Sequence, residues 1–303
     1  MNGPGRRRPW LVALQIAVAI GVLAWLIRLF GTGAATAAGA VLHPGTVAGA
    51  VALGLVGGLA QGLRWRAVAA GLGDRMSRTE AISRCLEAAF LNAVLPGGLA
   101  GDALRAFRRG RARDDWGTGI GSVVGERLCG TAVVTLAAAG SVASLGRADL
   151  AAALLVITLI VAGVAGYSMR ALPATAVVAC VAWSIVGWLA YLGLFALAAG
   201  GLAAAGVSPP LPPLQTVVVG SLVLAGMSIP LNVGGWGPRE GVAVLAYGLA
   251  GLDGSAGFTT SVAYGLLALA SVLPGALVLI AGRVRYRRPH RGSAGATDPA
   301  AHR

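Results

Sequence analysis

The sequence predicts an all-α integral membrane protein: about six full spans plus two re-entrant broken-helix hairpins, eight membrane segments in all, laid out as an inverted repeat. Three observations predict it. Hydrophobic residues make up 56% of the 303 positions and charged residues only 12%, whereas a soluble domain is about a quarter charged; mean hydropathy is +0.77. The 24 basic residues are all Arg, and they gather in the short gaps between apolar runs, the distribution that orients a membrane protein. Two of the apolar stretches are interrupted by Pro and Gly at corresponding places.

The runs follow in order. The first, at 10–30, is preceded by Arg6, Arg7 and Arg8. Its apolar core of about 17 residues exceeds the roughly 7–15 of a signal peptide, so it reads as a retained span. Further spans read at 46–63, 118–145, 150–169, 174–200 and 256–280, each near the length of about 20 residues that a bilayer requires. Arginines after 63, at 105–113, at 170 and after 283 lie on one side if the termini are cytoplasmic and the stretches before 105 and at 214–249 enter and leave on the same face. That gives one transmembrane domain at 1–288 and a disordered cytoplasmic tail at 289–303. A shift of 137 residues superposes the pattern of the two halves, about 10–145 and 147–283, and sets Gly97-Gly98 on Gly234-Gly235. Inverted repeats with helices broken at matching positions are a transporter signature, and the breaks point to the binding site.

The first hairpin begins at Ser77, with Glu80 three residues on, as in a capping box. Its helix must stop at Leu95, before Pro96-Gly97-Gly98. Asn92, Gly101, Asp102 and Arg105 surround the break. Glycines let backbone N–H groups approach a ligand, and a helix starting near Asp102 aims its positive end there. The second hairpin reads Ser228 to Gly241, with Asn232, Gly234, Gly235, Arg239 and Glu240, and Pro238 suits the first turn of a new helix. Glu126 and Arg127 sit about one-third along the span at 118–145. Ionisable groups at such depth are costly, so they face the bundle interior and either mark a pathway or lock helices together by pairing with other charges. Cys85, Cys129 and Cys180 fit no metal or CxxC spacing and read as small buried hydrophobes. The scattered His residues build no metal site. Neither a metal nor a cofactor is expected, nor is nucleic acid a partner, because the Arg residues do not decorate a soluble fold.

The run from Asn92 through Leu95-Pro96-Gly97-Gly98 and Gly101-Asp102 to Arg105 resembles the N-x-x-L-P-G-G-x-G-G-D-x-x-R motif of the lysylphosphatidylglycerol synthase transmembrane (flippase-like) family, with Ala100 where Gly is expected. Glu126-Arg127 resembles that family's Glu-Arg pair, and Gly234-Gly235-Trp236-Gly237-Pro238-Arg239-Glu240 its second Gly-rich motif. The resemblance implies a membrane domain associated with moving lipids between leaflets. It also implies a soluble aminoacyl-transfer domain in full-length synthases, and nothing after Arg288 reads as one, so synthase activity is not expected. The expectation is a non-enzymatic, multi-pass protein of a bacterial cell membrane that moves an anionic phospholipid or glycolipid headgroup. The alternatives are a scaffold for envelope-biosynthesis proteins and a transferase acting on a lipid-linked substrate.

Overall fold

The computed structural model of the chain describes residues 36–95, 98–228 and 236–286, together with Arg28 and Gly33. The span at 10–30 (Arg28 apart), the elbow residues Pro96, Gly97, Asn232, Gly234 and Gly235, and the tail at 289–303 lie outside the described residues.

The described chain is helical. In order it forms α1 (Pro44–Gly71), α2 (Arg78–Val94), α3 (Ala100–Arg113), α4 (Trp116–Ser144), α5 (Ala148–Ser168), α6 (Ala174–Ala204), α7 (Pro213–Met227), α8 (Pro238–Leu249), α9 (Gly254–Ser271) and α10 (Leu273–Tyr286). Polar residues start several of them. The Ser77 hydroxyl accepts from the Glu80 amide at 3.1 Å, Asp115 accepts from Thr118 at 3.0 Å, and Asp253 from Ser255 at 3.0 Å. Each satisfies an N–H group that the first turn leaves without an intrahelical partner. Pro44, Pro213 and Pro238 occupy first-turn positions, where a missing N–H has no consequence.

Five stretches are long and apolar enough to cross a membrane: Pro44–Gly71, Trp116–Ser144, Ala148–Ser168, Ala174–Ala204 and Gly254–Ala281. They coincide with the five expected spans that fall within the described residues. Two differences carry information. First, α1 runs past Leu63 for two more turns, so Arg64 belongs to the helix and not to a loop. Second, the last span is two helices, α9 and α10, broken at Val272. Pro274, two positions on, has no N–H to return to Ala270. Helix α5 shows its apolar side chains outward, with Leu159 and Ile160 more than 60% exposed. In water that surface would be an aggregation hazard; in a bilayer it is the lipid face.

Helices α1 and α6 form the most extensive contact. The two helix–break–helix units, α2–α3 and α7–α8, dock reciprocally. The second arm of each packs on the span that follows it, α3 on α4 and α8 on α9. The first arm of each packs on the closing span of the other half, α2 on α10 and α7 on α4.

Candidate functional site

Five charged side chains from α1, α3 and α4 form a chain of alternating sign. Glu126 is fully buried. Its Oε2 accepts from Arg64 Nε at 2.6 Å and its Oε1 from Arg105 Nη2 at 2.7 Å. Arg105 Nη2 also donates to Asp102 Oδ1 at 2.6 Å, one helical turn back along α3. The other Asp102 oxygen accepts from Asn92 at 2.9 Å and pairs with Arg127. Asn92 in turn accepts the Gly101 amide proton at 2.7 Å. One amide side chain thus ties the last turn of α2 to the first turn of α3, across the break.

The Arg105 guanidinium lies 4.7 Å from the Trp65 ring centroid and donates to the Cys85 sulfur at 2.9 Å. The Trp65 indole N–H donates to Ser122 at 3.1 Å. A buried charge must be paired and hydrogen-bonded to be tolerated, and Arg105, only 3% exposed, meets that condition on nearly every side. Arg64 has room for its position because residue 130 is glycine: a Cβ there would stand 2.3 Å from Arg64 Nη1.

The second half builds a smaller counterpart. Arg239 donates from Nε to Glu240 Oε1 at 2.9 Å and to Ser261 at 3.0 Å, and its Nη2 reaches the same carboxylate oxygen at 2.5 Å. The other Glu240 oxygen accepts the Gly237 amide proton at 2.6 Å, which caps α8. Trp236 and Tyr264 lie against the guanidinium, with centroids at 4.8 and 5.4 Å. Arg239 and Glu240 are both 2% exposed.

Between these clusters lies a cavity of about 400 Å³. The breaks of both hairpins reach it, through Asn92, Gly98 and Leu99 on one side and Ser228, Trp236 and Arg239 on the other. Three arginines line it, Arg64, Arg127 and Arg239, whereas their carboxylate partners sit behind them. Trp183, Trp188, Tyr191 and Tyr264 supply aromatic wall. Four polar atoms of the lining are buried without a hydrogen-bond partner among the described residues: Gln61 Oε1, Arg127 Nε, Trp188 Nε1 and the Tyr264 hydroxyl.

Of the residues singled out from sequence, Asn92, Gly98, Arg127 and Arg239 line the cavity. Asp102, Arg105, Glu126 and Glu240 form the layer behind, and Gly101 joins them through Asn92. Pro96, Gly97, Asn232, Gly234 and Gly235 lie outside the described residues. Glu126 pairs with Arg64 and Arg105 and not with its neighbour Arg127, which turns to Asp102. Sequence reasoning passed over Arg64, Gln61 and Tyr264. Arg64 had been counted with the flanking basic cluster. The available signal was Gln61, three residues earlier, which puts two polar groups on one face of an otherwise apolar helix.

A family model described as "Lysylphosphatidylglycerol synthase TM region" matches residues 12–175, more than half of the chain. The matched stretch contains the first hairpin and Glu126-Arg127 and ends before the second hairpin. No curated protein and no solved structure matches the chain.

Proposed function

The chain belongs to the lysylphosphatidylglycerol synthase transmembrane family, and from that premise we propose that it carries the headgroup of an anionic lipid between the leaflets of the cell membrane. The observation that carries this reading is the cavity whose wall bears Arg64, Arg127 and Arg239 while the balancing carboxylates stand behind them. A planar guanidinium binds phosphate oxygens bidentately, and Arg64 and Arg127 can turn to a phosphate while Arg105 still pairs Glu126 and Asp102 behind them.

In this reading the two broken hairpins enter from opposite faces, the halves are inverted, and both termini are cytoplasmic. The reciprocal docking of α2 on α10 and α7 on α4 supports such a pseudo-symmetric pair. Acyl chains stay in lipid while the headgroup passes through the cavity. The sequence holds no phosphate-binding loop for a nucleotide, so the drive is passive, ion-coupled or supplied by a partner. No chemical step on the lipid is involved.

The test is leaflet translocation of a fluorescent anionic lipid in liposomes containing the purified protein. The Arg127→Ala, Arg239→Ala double variant is expected to lose the protein-dependent rate. An unchanged rate in a folded double variant would remove the site. A function retained after neutralising every charge around the cavity would favour the scaffold alternative.

A further inference from the structure

We infer that the cavity selects a ligand with one net negative charge, a phosphodiester rather than a phosphomonoester or a zwitterion. This rests on the headgroup site proposed above and names its substrate class.

The argument starts from a count. The charged groups among the described residues of the cavity wall are Arg64, Arg127 and Arg239. Following their ion pairs inward adds Glu126, Asp102, Glu240 and the shared Arg105, and there the networks close. Four guanidinium groups face three carboxylates, which leaves one positive charge. The remaining contacts are neutral: Asn92, Cys85, Ser184 and Ser261. The elbow segments outside the described residues, 96–97 and 229–235, contain no ionisable side chain, so they cannot cancel it. Arg105 and Arg239 are 3% and 2% exposed, and the two more open guanidinium groups, Arg64 and Arg127, face the cavity. An uncompensated charge in the membrane interior is costly, and a monoanion in the cavity brings the total to zero. A phosphomonoester, at about −1.5 to −2, would overshoot, and a zwitterion would leave the surplus in place.

Three of the four unpartnered atoms point the same way, the fourth, Gln61 Oε1, being an acceptor. Arg127 Nε and Trp188 Nε1 can only donate, and the Tyr264 hydroxyl can donate. They come from α4, α6 and α9, so they surround the space instead of sharing one wall. That arrangement suits a tetrahedral centre rich in acceptor oxygens.

The experiment alters the count without breaking an ion pair. Gln61 lines the cavity and is neutral, so Gln61→Glu takes the total to zero and Gln61→Lys to plus two. The full chain is purified in detergent, and native mass spectrometry measures retention of dioleoylphosphatidylmethanol, dioleoylphosphatidylcholine and dioleoylphosphatidic acid in competition. The wild type should retain phosphatidylmethanol over phosphatidylcholine by about tenfold, the size expected of one unit charge across a cavity of this scale. Gln61→Glu should bring that ratio near one, and Gln61→Lys should move the preference to phosphatidic acid. If Gln61→Lys does not fold, Ser228→Lys adds the same charge on the facing wall.

Equal retention of the three lipids by the wild type, or an unchanged ratio in folded Gln61→Glu, overturns the proposal. Dimethyl phosphate alone separates the sources: weak thermal protection relative to the lipid assigns the site to a headgroup, and equal protection assigns it to a soluble phosphodiester under the same charge rule. A protein that obeys the rule yet moves no lipid in liposomes keeps its selectivity and loses the transport reading.

Discussion

Arg64 on α1 and Glu126 on α4 lie 62 positions apart in the chain and meet at 2.6 Å, with the carboxylate wholly buried. Through Glu126 this contact continues to Arg105, so one carboxylate joins α1, α3 and α4.

Removing that carboxylate should therefore be severe. Glu126→Gln leaves Arg64 and Arg105 short of a counter-charge, and breaking a buried pair in this way costs about 3–5 kcal/mol. A large fall in the thermal midpoint of the detergent-purified protein is expected. Arg64→Gln in the same chain should restore part of it, since the two effects are coupled. A Glu126→Gln variant as stable as the wild type would show that the pair does not hold the helices together.

Asn92 is a smaller but more local case. Asn92→Ala removes the acceptor of the Gly101 amide and a donor to Asp102. The expected loss is about 1–3 kcal/mol, the cost of leaving a partly buried polar group unpaired. Hydrogen exchange should quicken at the start of α3 before it does elsewhere. Uniform quickening, or none, would contradict a role confined to the hairpin break.

Two glycines should respond differently to the same substitution. A Cβ on Gly101 would lie 2.2 Å from the Ala88 carbonyl oxygen, whereas one on Gly130 would lie 2.3 Å from the end of the Arg64 side chain. Backbone cannot yield as a side chain can. Gly101→Ala should thus destabilise by about 1–3 kcal/mol through overpacking. Gly130→Ala should leave stability closer to wild type while displacing Arg64 and slowing translocation. Equal thermal midpoints for the two variants would speak against this geometry.

The exposed helix starts at Asp115 and Asp253 should give a dependence on acid. Hydrogen bonds from Ser255 hold the Asp253 carboxyl below its ordinary range, and those from Thr118 do the same for Asp115. A carboxyl with a depressed folded value stabilises above its unfolded value, near 4, and that contribution fades as pH falls through the folded value. Thermal midpoints recorded between about pH 5 and pH 2 should drop less steeply for the Asp115→Asn, Asp253→Asn double variant, whose caps do not titrate. Identical slopes would show that these caps do not contribute.

Much of the architecture was legible from the chain alone. Apolar length fixes a span because an unpaired backbone cannot face lipid, and five of the expected spans appear where hydropathy placed them. Ser77, Pro96 and Pro238 marked helix boundaries through effects confined to one turn. Of the charges read at membrane depth, Glu126, Arg239 and Glu240 are buried, whereas the Arg127 side chain is 39% exposed.

What the chain could not state was who pairs with whom. Glu126 was legible as an interior charge, but its partners Arg64 and Arg105 were not, because ion pairing depends on which helix faces pack together. The same packing turns Arg64 from a flanking charge into a cavity wall and brings Gln61, Trp188 and Tyr264 to one space. Local chemistry sets helices and their ends; the sign and number of charges around the cavity are set by tertiary contacts between residues far apart in sequence, since electrostatic energy follows distance in space.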